Sequence, residues 1–316
     1  MTVHPHSFSL RPRLLAAIVV LSVWSAPSWV QAEVTTPVLT INDDVATEDI
    51  TIQPLRGNVS VLIGSGGNIG VLTAPDGKLL IDGGIAVSKP KLVTALNSLS
   101  PAPVKFVVNT HYHWDHTDGN AWLHETGATI VAQDNTLTRL RNGTRVIDWS
   151  FTFRPVPAAG LPTVTFKTDK TIEFGTETVV LKYRGSGHTD TDVTAYFTKA
   201  DILQVGDIWW NGFYPFIDYS AGGSIDGVIR QVDACIQAST ARTIIIPGHG
   251  PIGDRAQLIE FRDMLVGIRN NVARLKHEGR TLAETVAARP TAAYDAKFGK
   301  FLIDPAFFTH LVYMGV

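Results

Sequence analysis

Apolar residues in this chain come in short runs broken by turn residues. Behind a polar leader that reaches about Thr51, the runs "VSVLIGS", "NIGVLTAP" and "KLLIDGG" are separated by Gly64-Ser65-Gly66-Gly67 and Pro75-Asp76-Gly77. Such runs between glycine- and proline-bearing turns predict a meander of antiparallel strands. The period then changes: Leu92, Val93, Leu96 and Leu99 recur at helical spacing, so residues 88–99 are predicted as a helix, with "VKFVVNT" as the strand after it. A helix near 120–126, a strand "ATIVA" and a helix near 135–141 complete this half.

A second series of strand-like runs follows: "TVTFKT", "KTIEFG", "TVVLKYRG", "VTAYFT" and "ILQVGD". Turns at Thr168-Asp169-Lys170 and Gly175-Thr176 again predict a meander. Residues 224–238 read as a helix with Ser224 as N-cap, "TIIIPG" as a strand, and 254–277 as a long helix. The apolar, helical closing segment 304–316 is expected to pack on the domain. Each half is thus strands followed by helices, which predicts two sheets packed together with helices outside. Neither a linker nor a low-complexity block divides residues 33–316, so they are expected to form one domain.

The N-terminus has a different pattern. Arg11 and Arg13 precede the apolar run 14–24, and Val30-Gln31-Ala32 is a small-x-small cleavage site, so residues 1–32 read as a signal peptide. About eleven apolar residues fall short of the roughly 20 a spanning helix needs. The expected location is periplasmic or secreted, with no membrane attachment after cleavage. Cleavage would leave 25 basic residues of the 27 against all 29 acids, a net charge of −4. That balance argues against a nucleic-acid partner, which calls for a basic stripe. Cys235 is the only cysteine, so an internal disulfide is excluded, and its apolar helical setting predicts a buried packing role.

The candidate chemistry is concentrated in "NTHYHWDHTDGN" (109–120). In an extended segment His111 and His113 point to the same side and can meet one metal ion. His116, at the turn beside Asp115, can reach a second ion at about the 3.5–4 Å separation usual in two-metal sites. Further ligands are needed, because zinc takes four partners. His188 in "GSGHTDTD", Asp207 at the end of "ILQVGD" and His249 in "PGHGP" each follow a strand-like run in a glycine-bearing turn. His124, His277 and His310 lack that setting and are assigned to surface or packing roles.

"HYHWDH" followed by "GSGHT", "VGD" and "PGHG" resembles the metallo-β-lactamase fold superfamily of hydrolases, over about residues 58–251. The resemblance implies an α+β fold, a four-layer αββα sandwich of two mixed sheets flanked by helices. It implies His111, His113 and His188 around one metal, Asp115, His116 and His249 around the other, and Asp207 bridging them. Asp82, in "LLIDGG", corresponds to a residue that orients a ligand rather than binding metal. Two zinc ions with Asp115, Asp207 and a bridging hydroxide leave a core charge of about +1, which acidifies water and stabilises an oxyanion. The implied reaction is attack of metal-bound hydroxide on an ester, thioester, lactone or β-lactam carbonyl of a small-molecule substrate, with Asp115 as the catalytic proton acceptor. The oxygen-rich ligand set also admits iron or manganese. At position 207 the best-known zinc β-lactamases of the superfamily carry cysteine or serine, whereas thioesterases, lactonases and phosphodiesterases carry the bridging aspartate. Two alternatives stand beside the hydrolase: a metallo-β-lactamase proper, and a persulfide dioxygenase with one iron on two histidines and an aspartate. A flavodiiron-type reductase fits less well, since its motif has glutamate where this chain has His113.

Aromatic residues crowd "DIWWNGFYPFID" (207–218). Trp209, Trp210, Phe213, Tyr214 and Phe216 either wall an apolar substrate cleft or fill the core beneath the loop. Tyr112 and Trp114 lie between metal-ligand candidates, so at least one is expected to face the cleft. "GSGGN" (64–68) reads as a flap over the metals or as a plain hairpin turn. The chain has neither a G-K-[ST] phosphate loop at that point nor a G-x-S-x-G nucleophile elbow.

Overall fold

Side chains two apart on a strand face the same way, and this period sorts the buried apolar residues into layers. The computed structural model describes residues 36–316, so the predicted signal peptide lies outside the described residues. Strands β1 (Thr51–Pro54), β2 (Val59–Ile63), β3 (Ile69–Ala74), β4 (Gly77–Ile81), β5 (Val104–Val108) and β6 (Thr129–Gln133) come first. A hairpin of β7 (Thr144–Val146) and β8 (Phe151–Phe153) stands apart from them, and β9 (Val164–Phe166) follows. The remainder are β10 (Asp169–Phe174), β11 (Glu177–Tyr183), β12 (Val193–Phe197), β13 (Ile202–Trp210), β14 (Ile244–His249) and β15 (Gly253–Asp254). One sheet has the order β1-β2-β3-β4-β5-β6-β9, antiparallel up to β4 and parallel beyond. The other runs β10 to β15 in sequence, antiparallel except for the parallel pair β13–β14.

The helices are α1 (Pro37–Thr47), α2 (Lys89–Leu99), α3 (Trp114–Thr117), α4 (Asn120–Glu125) and α5 (Asp134–Asn142). Later come α6 (Ile225–Ala238), α7 (Arg255–His277), α8 (Leu282–Ala287), α9 (Asp295–Phe298) and α10 (Pro305–Gly315). Val61, Leu79, Ile81, Val108 and Val131 of the first sheet share a core with Leu181, Phe197, Ile202 and Ile246 of the second, so the sheets pack face to face. Their neighbours along each strand face outward. Leu62, Leu80, Val107 and Ile130 pack under α2 and α4 through Leu92, Leu96 and Leu123. Leu203 and Ile245 pack under α6, α7 and α10 through Val228, Leu265 and Leu311. The result is the four-layer αββα sandwich the motifs implied.

Helix ends follow the sequence closely. Ser224 accepts a hydrogen bond from Gly227 N at the start of α6, and Asp254 and Gln257 form a capping box for α7. Helix α10 is capped by Asp304 and buries Phe308, Leu311 and Val312 in the core. Some features differ from the expected pattern, among them β1, α8 and α9, for which no element was expected. The run "TVTFKT" contributes β9 to the first sheet, parallel to β6, rather than opening the second. The polar leader contains α1, held by the buried Val38 and Val45. The hairpin β7–β8 occupies a stretch for which no strand was expected.

Candidate metal centre

The seven residues singled out by their strand-end settings converge at one end of the sandwich. His111 lies three residues beyond the end of β5, His113 is the N-cap residue of the short α3, and Asp115 and His116 lie within that helix. His188 lies in the loop after β11, and His249 ends β14. Asp207 departs from expectation: it lies within β13, beside the bulge at Gly206, rather than at the strand's end. Bulges commonly re-aim a side chain next to a site, and Gly206, at φ +53°, permits this one.

Donor atoms of His111, His113, His188 and Asp207 lie within 4.8 Å of one another, as do those of Asp115, His116 and His249. The Asp207 carboxylate faces both groups. Its Oδ2 lies 3.5 Å from His188 Nε2, 3.8 Å from His111 Nε2 and 3.4 Å from His249 Nε2, while its Oδ1 lies 3.1 Å from His116 Nε2. Asp115 Oδ2 lies 3.2 Å from His249 Nε2 and 3.4 Å from His116 Nε2.

Four of the imidazoles are held at the nitrogen facing away from the cluster. His116 Nδ1 lies 2.9 Å from Asp82 Oδ2, His113 Nε2 is 3.0 Å from Asp218 Oδ2, and His188 Nδ1 is 2.8 Å from the Phe216 carbonyl. His111 Nδ1 lies 3.0 Å from Thr110 Oγ1, whose hydroxyl donates in turn to Asp82. Asp82 also accepts from Thr110 N, so one carboxylate positions two of the rings. Asp218 is the positioning residue that the sequence reading missed; it also accepts from the Tyr112 hydroxyl.

Glycines let the backbone come close. A Cβ at Gly67 would sit 2.2 Å from the His116 ring, and one at Gly248 would sit 2.0 Å from Asp207 Oδ1. The segment 64–68 is pinned rather than free-standing: Gly67 N donates to Asp115 O, and Asn68 bonds to Pro247, Gly248 and Gly250.

The electrostatics suit a metal. Burial, helped by the neighbouring His116, holds His111 well below the usual histidine range, and burial takes His188 down to about 4. Both are therefore neutral imidazoles with a free lone pair. Burial alone would raise Asp115 and Asp207, but the surrounding histidines keep both well below the usual carboxylate range. Burial opposes charge on His249 and His116 too, yet the Asp115 and Asp207 carboxylates push His249 up to about 9 and, with Asp82, hold His116 well above the usual histidine range, so at these two rings a metal cation would take the place of a proton. Neutral imidazole and ionised carboxylate are the forms that ligate metals. Among the described residues, His111 Nε2, His116 Nε2 and Asp207 Oδ1 are buried without a hydrogen-bond partner, and such orphaned polar atoms are costly unless something binds them. The donor set therefore fits divalent metal.

A cavity of about 200 Å³ opens onto this cluster, with His113, Asp115, Asp207 and His249 in its floor. Trp114, Trp149, Trp210 and Phe216 form aromatic walls. The Trp210 ring lies 4.4 Å from that of His249. Four expected cleft residues, Tyr112, Trp209, Phe213 and Tyr214, are elsewhere. Trp209, 0% exposed, packs in the core between the second sheet and its helices. Tyr214, also 0% exposed, stacks on Phe308 and donates to Asp295. Phe213 packs behind the wall on Phe301. Tyr112 faces a neighbouring cavity of about 360 Å³, which shares Trp114 with the first. Trp149, Phe301, Leu302 and one face of α1 complete the lining; no motif announced them. Away from the cluster, His124 Nδ1 lies near Ala128 O, His310 near Asp148, and His277 is exposed.

The metallo-beta-lactamase superfamily model matches residues 62–249. The metallo-beta-lactamase type 2 of Bacillus cereus is 26% identical over 253 residues, covering 76% of this chain and 91% of that protein. A protein of the same description from Bacillus sp. (strain 170) is 25% identical over 197 residues, covering 62% of this chain and 71% of its own length. Among solved structures, the metallo-beta-lactamase from Pontibacter korlensis superposes with a TM-score of 0.56 at 21% identity, over 69% of this chain and 99% of that one. A double mutant of the sec-alkyl sulfatase PisA1 gives 0.65 at 16% identity, over 84% of this chain and 50% of that one. Those two likenesses speak for the fold alone. The family match runs from β2 to His249 and so takes in both halves of the sandwich and every member of the histidine and aspartate cluster: the chain belongs to the metallo-β-lactamase superfamily, whose members are generally hydrolytic metalloenzymes.

Proposed function

We propose that this protein is an exported hydrolase that holds two zinc ions and cleaves an ester, thioester, lactone or β-lactam at its carbonyl. The observation that carries the reading is the Asp207 carboxylate, which faces both donor groups at 3.1–3.8 Å. His111, His113 and His188 would hold one ion, and Asp115, His116 and His249 the other, with Asp207 between them. When bound, two such ions acidify water toward a pKa of ~7 and stabilise negative charge on a carbonyl oxygen.

The chain's own residues do the rest. Asp115 is ionised and lines the cavity, so its carboxylate is the group placed to take a proton from an attacking water. Asp82, Asp218 and Thr110 fix the ring orientations before substrate arrives, so little reorganisation is left for the reaction. The indoles of Trp114, Trp149 and Trp210 hold the apolar part of a substrate and displace water around the carbonyl. A second donor group complete with Asp115, His116 and His249 favours two metals over the single iron of a persulfide dioxygenase. The β-lactam version of the reading is favoured by the names of the Bacillus relatives. Export rests on the leader, with cleavage after Ala32.

The test is turnover of a panel by zinc-loaded mature protein: a chromogenic cephalosporin, an aryl ester, a lactone, a thioester and glutathione persulfide. Hydrolysis of at least one carbonyl class, abolished by chelation and restored by zinc, is the expected result. Oxygen uptake on the persulfide with one bound iron, or inertness toward every carbonyl, overturns the proposal. Mass spectrometry of the exported protein is expected to find Glu33 at its N-terminus.

A further inference from the structure

The leader between the predicted cleavage point and the first strand carries acids and no base: Asp43, Asp44, Glu48 and Asp49 are followed by the first Lys or Arg only at Arg56. Within this segment Pro37–Thr47 form α1, which closes one side of the cavity over the metal centre. Val38 and Val45, one heptad apart, are buried at 2% and 4% exposure and seat the helix. Asn42 Oδ1 accepts from the Trp114 indole at 3.0 Å, tying α1 to the ligand-bearing turn. Lys91 donates to the Ala46 and Glu48 carbonyls and so holds the helix's C-terminal end.

Ile41, Asp44, Val45 and Glu48 line the cavity. Their spacing of three, four and seven places them on one helical face. Among the described residues, and apart from the cluster itself, Asp44 and Glu48 are the charged residues of the lining; apart from Thr40 the other walls are aromatic or aliphatic, and neither Lys nor Arg belongs to them. Away from the metal centre, a substrate bearing an anionic group would find no cation in these walls to pair with and two carboxylates to repel it. An ammonium group would meet those carboxylates and the faces of three indoles.

We infer that α1 is a specificity-determining wall, and that Asp44 and Glu48 make this site select uncharged or amine-bearing substrates over anionic ones. For turnover the inference rests on the hydrolase reading above; for binding it stands without it.

Three acetate esters of one shape separate the charges: phenyl acetate, para-acetoxyphenyl trimethylammonium and para-acetoxybenzenesulfonate. The expected kcat/KM for the sulfonate lies at least about fivefold below that of the neutral ester, and the difference shrinks at high salt. In Asp44→Asn/Glu48→Gln the ratio falls to within about twofold, whereas Asp43→Asn, an exposed residue outside the lining, keeps the wild-type ratio. Tryptophan fluorescence supplies the second readout: choline is expected to bind the zinc-loaded protein more tightly than its neutral carbon isostere dimethylbutanol, and to lose that advantage in the double variant. Equal kcat/KM across the esters, or a ratio that survives the double substitution, overturns the inference. If no acetate ester turns over, only the ester version of the hydrolase reading falls and the fluorescence titration decides alone, with equal affinities overturning the inference about α1.

Discussion

Five imidazoles at the centre present one nitrogen to a shared space, and four of them are steered from behind by four different groups: the Asp82 and Asp218 carboxylates, the Thr110 hydroxyl and the Phe216 carbonyl. Burial alone would raise Asp218, but hydrogen bonds from His113 and Tyr112 hold it below the usual carboxylate range. Replacing Asp218 with asparagine keeps the shape and removes the charge. Asp218→Asn is expected to lower zinc affinity or turnover by roughly 10–100-fold with little change in thermal stability, and wild-type affinity would remove its positioning role. All seven cluster residues were legible, because each follows a strand-like run and carries metal-ligand chemistry. Asp218 was not, because it lies 105 residues from the His113 it orients, in a loop without periodicity. Cys235 illustrates the opposite case: a lone cysteine among apolar helical neighbours reads as core, and it is fully buried with its thiol pushed up to about 12 by that burial. Native protein at pH 8 should therefore leave Ellman's reagent unreacted, whereas unfolded protein should release one equivalent; fast native reaction would contradict the packing.

Elements were legible where their ends carry side-chain chemistry. Ser224 announced α6 and its cap is made, and α7, read only as the range 254–277, is closed at its start by the Asp254–Gln257 capping box. Asp254→Ala removes the acceptor that Gln257 N uses, which should cost about 1 kcal/mol in urea unfolding while metal content stays unchanged. Helix α1 escaped because only two of its eleven residues are buried, too few to set a period. Strand β9 was assigned to the wrong sheet because its sequence states a propensity and not a partner; its parallel pairing with β6 is decided by the chain's path through α5 and the β7–β8 hairpin. Trp209 and Trp210 show how one residue's step decides function. Both indoles belong to one buried cluster, yet only that of Trp210 lines the cavity and reaches His249.

At the scale of the molecule, the two sheets meet over a shared apolar core, and the cluster spans them at one end. His111, His113, Asp115 and His116 come from the first sheet's side, and His188, Asp207 and His249 from the second. Bound metal would therefore join the two halves of the sandwich. Chelation is expected to lower the melting temperature by several degrees, and zinc to restore it, since a ligand that binds only the folded state stabilises it. The central claim is that Asp207 serves two ions at once, and native mass spectrometry of the zinc-loaded protein tests it most directly. Two zinc ions per wild-type chain, falling to one or none together with activity in Asp207→Ala, is the result predicted here. A single metal in the wild type, or an Asp207→Ala protein that keeps one ion and full activity, would contradict it.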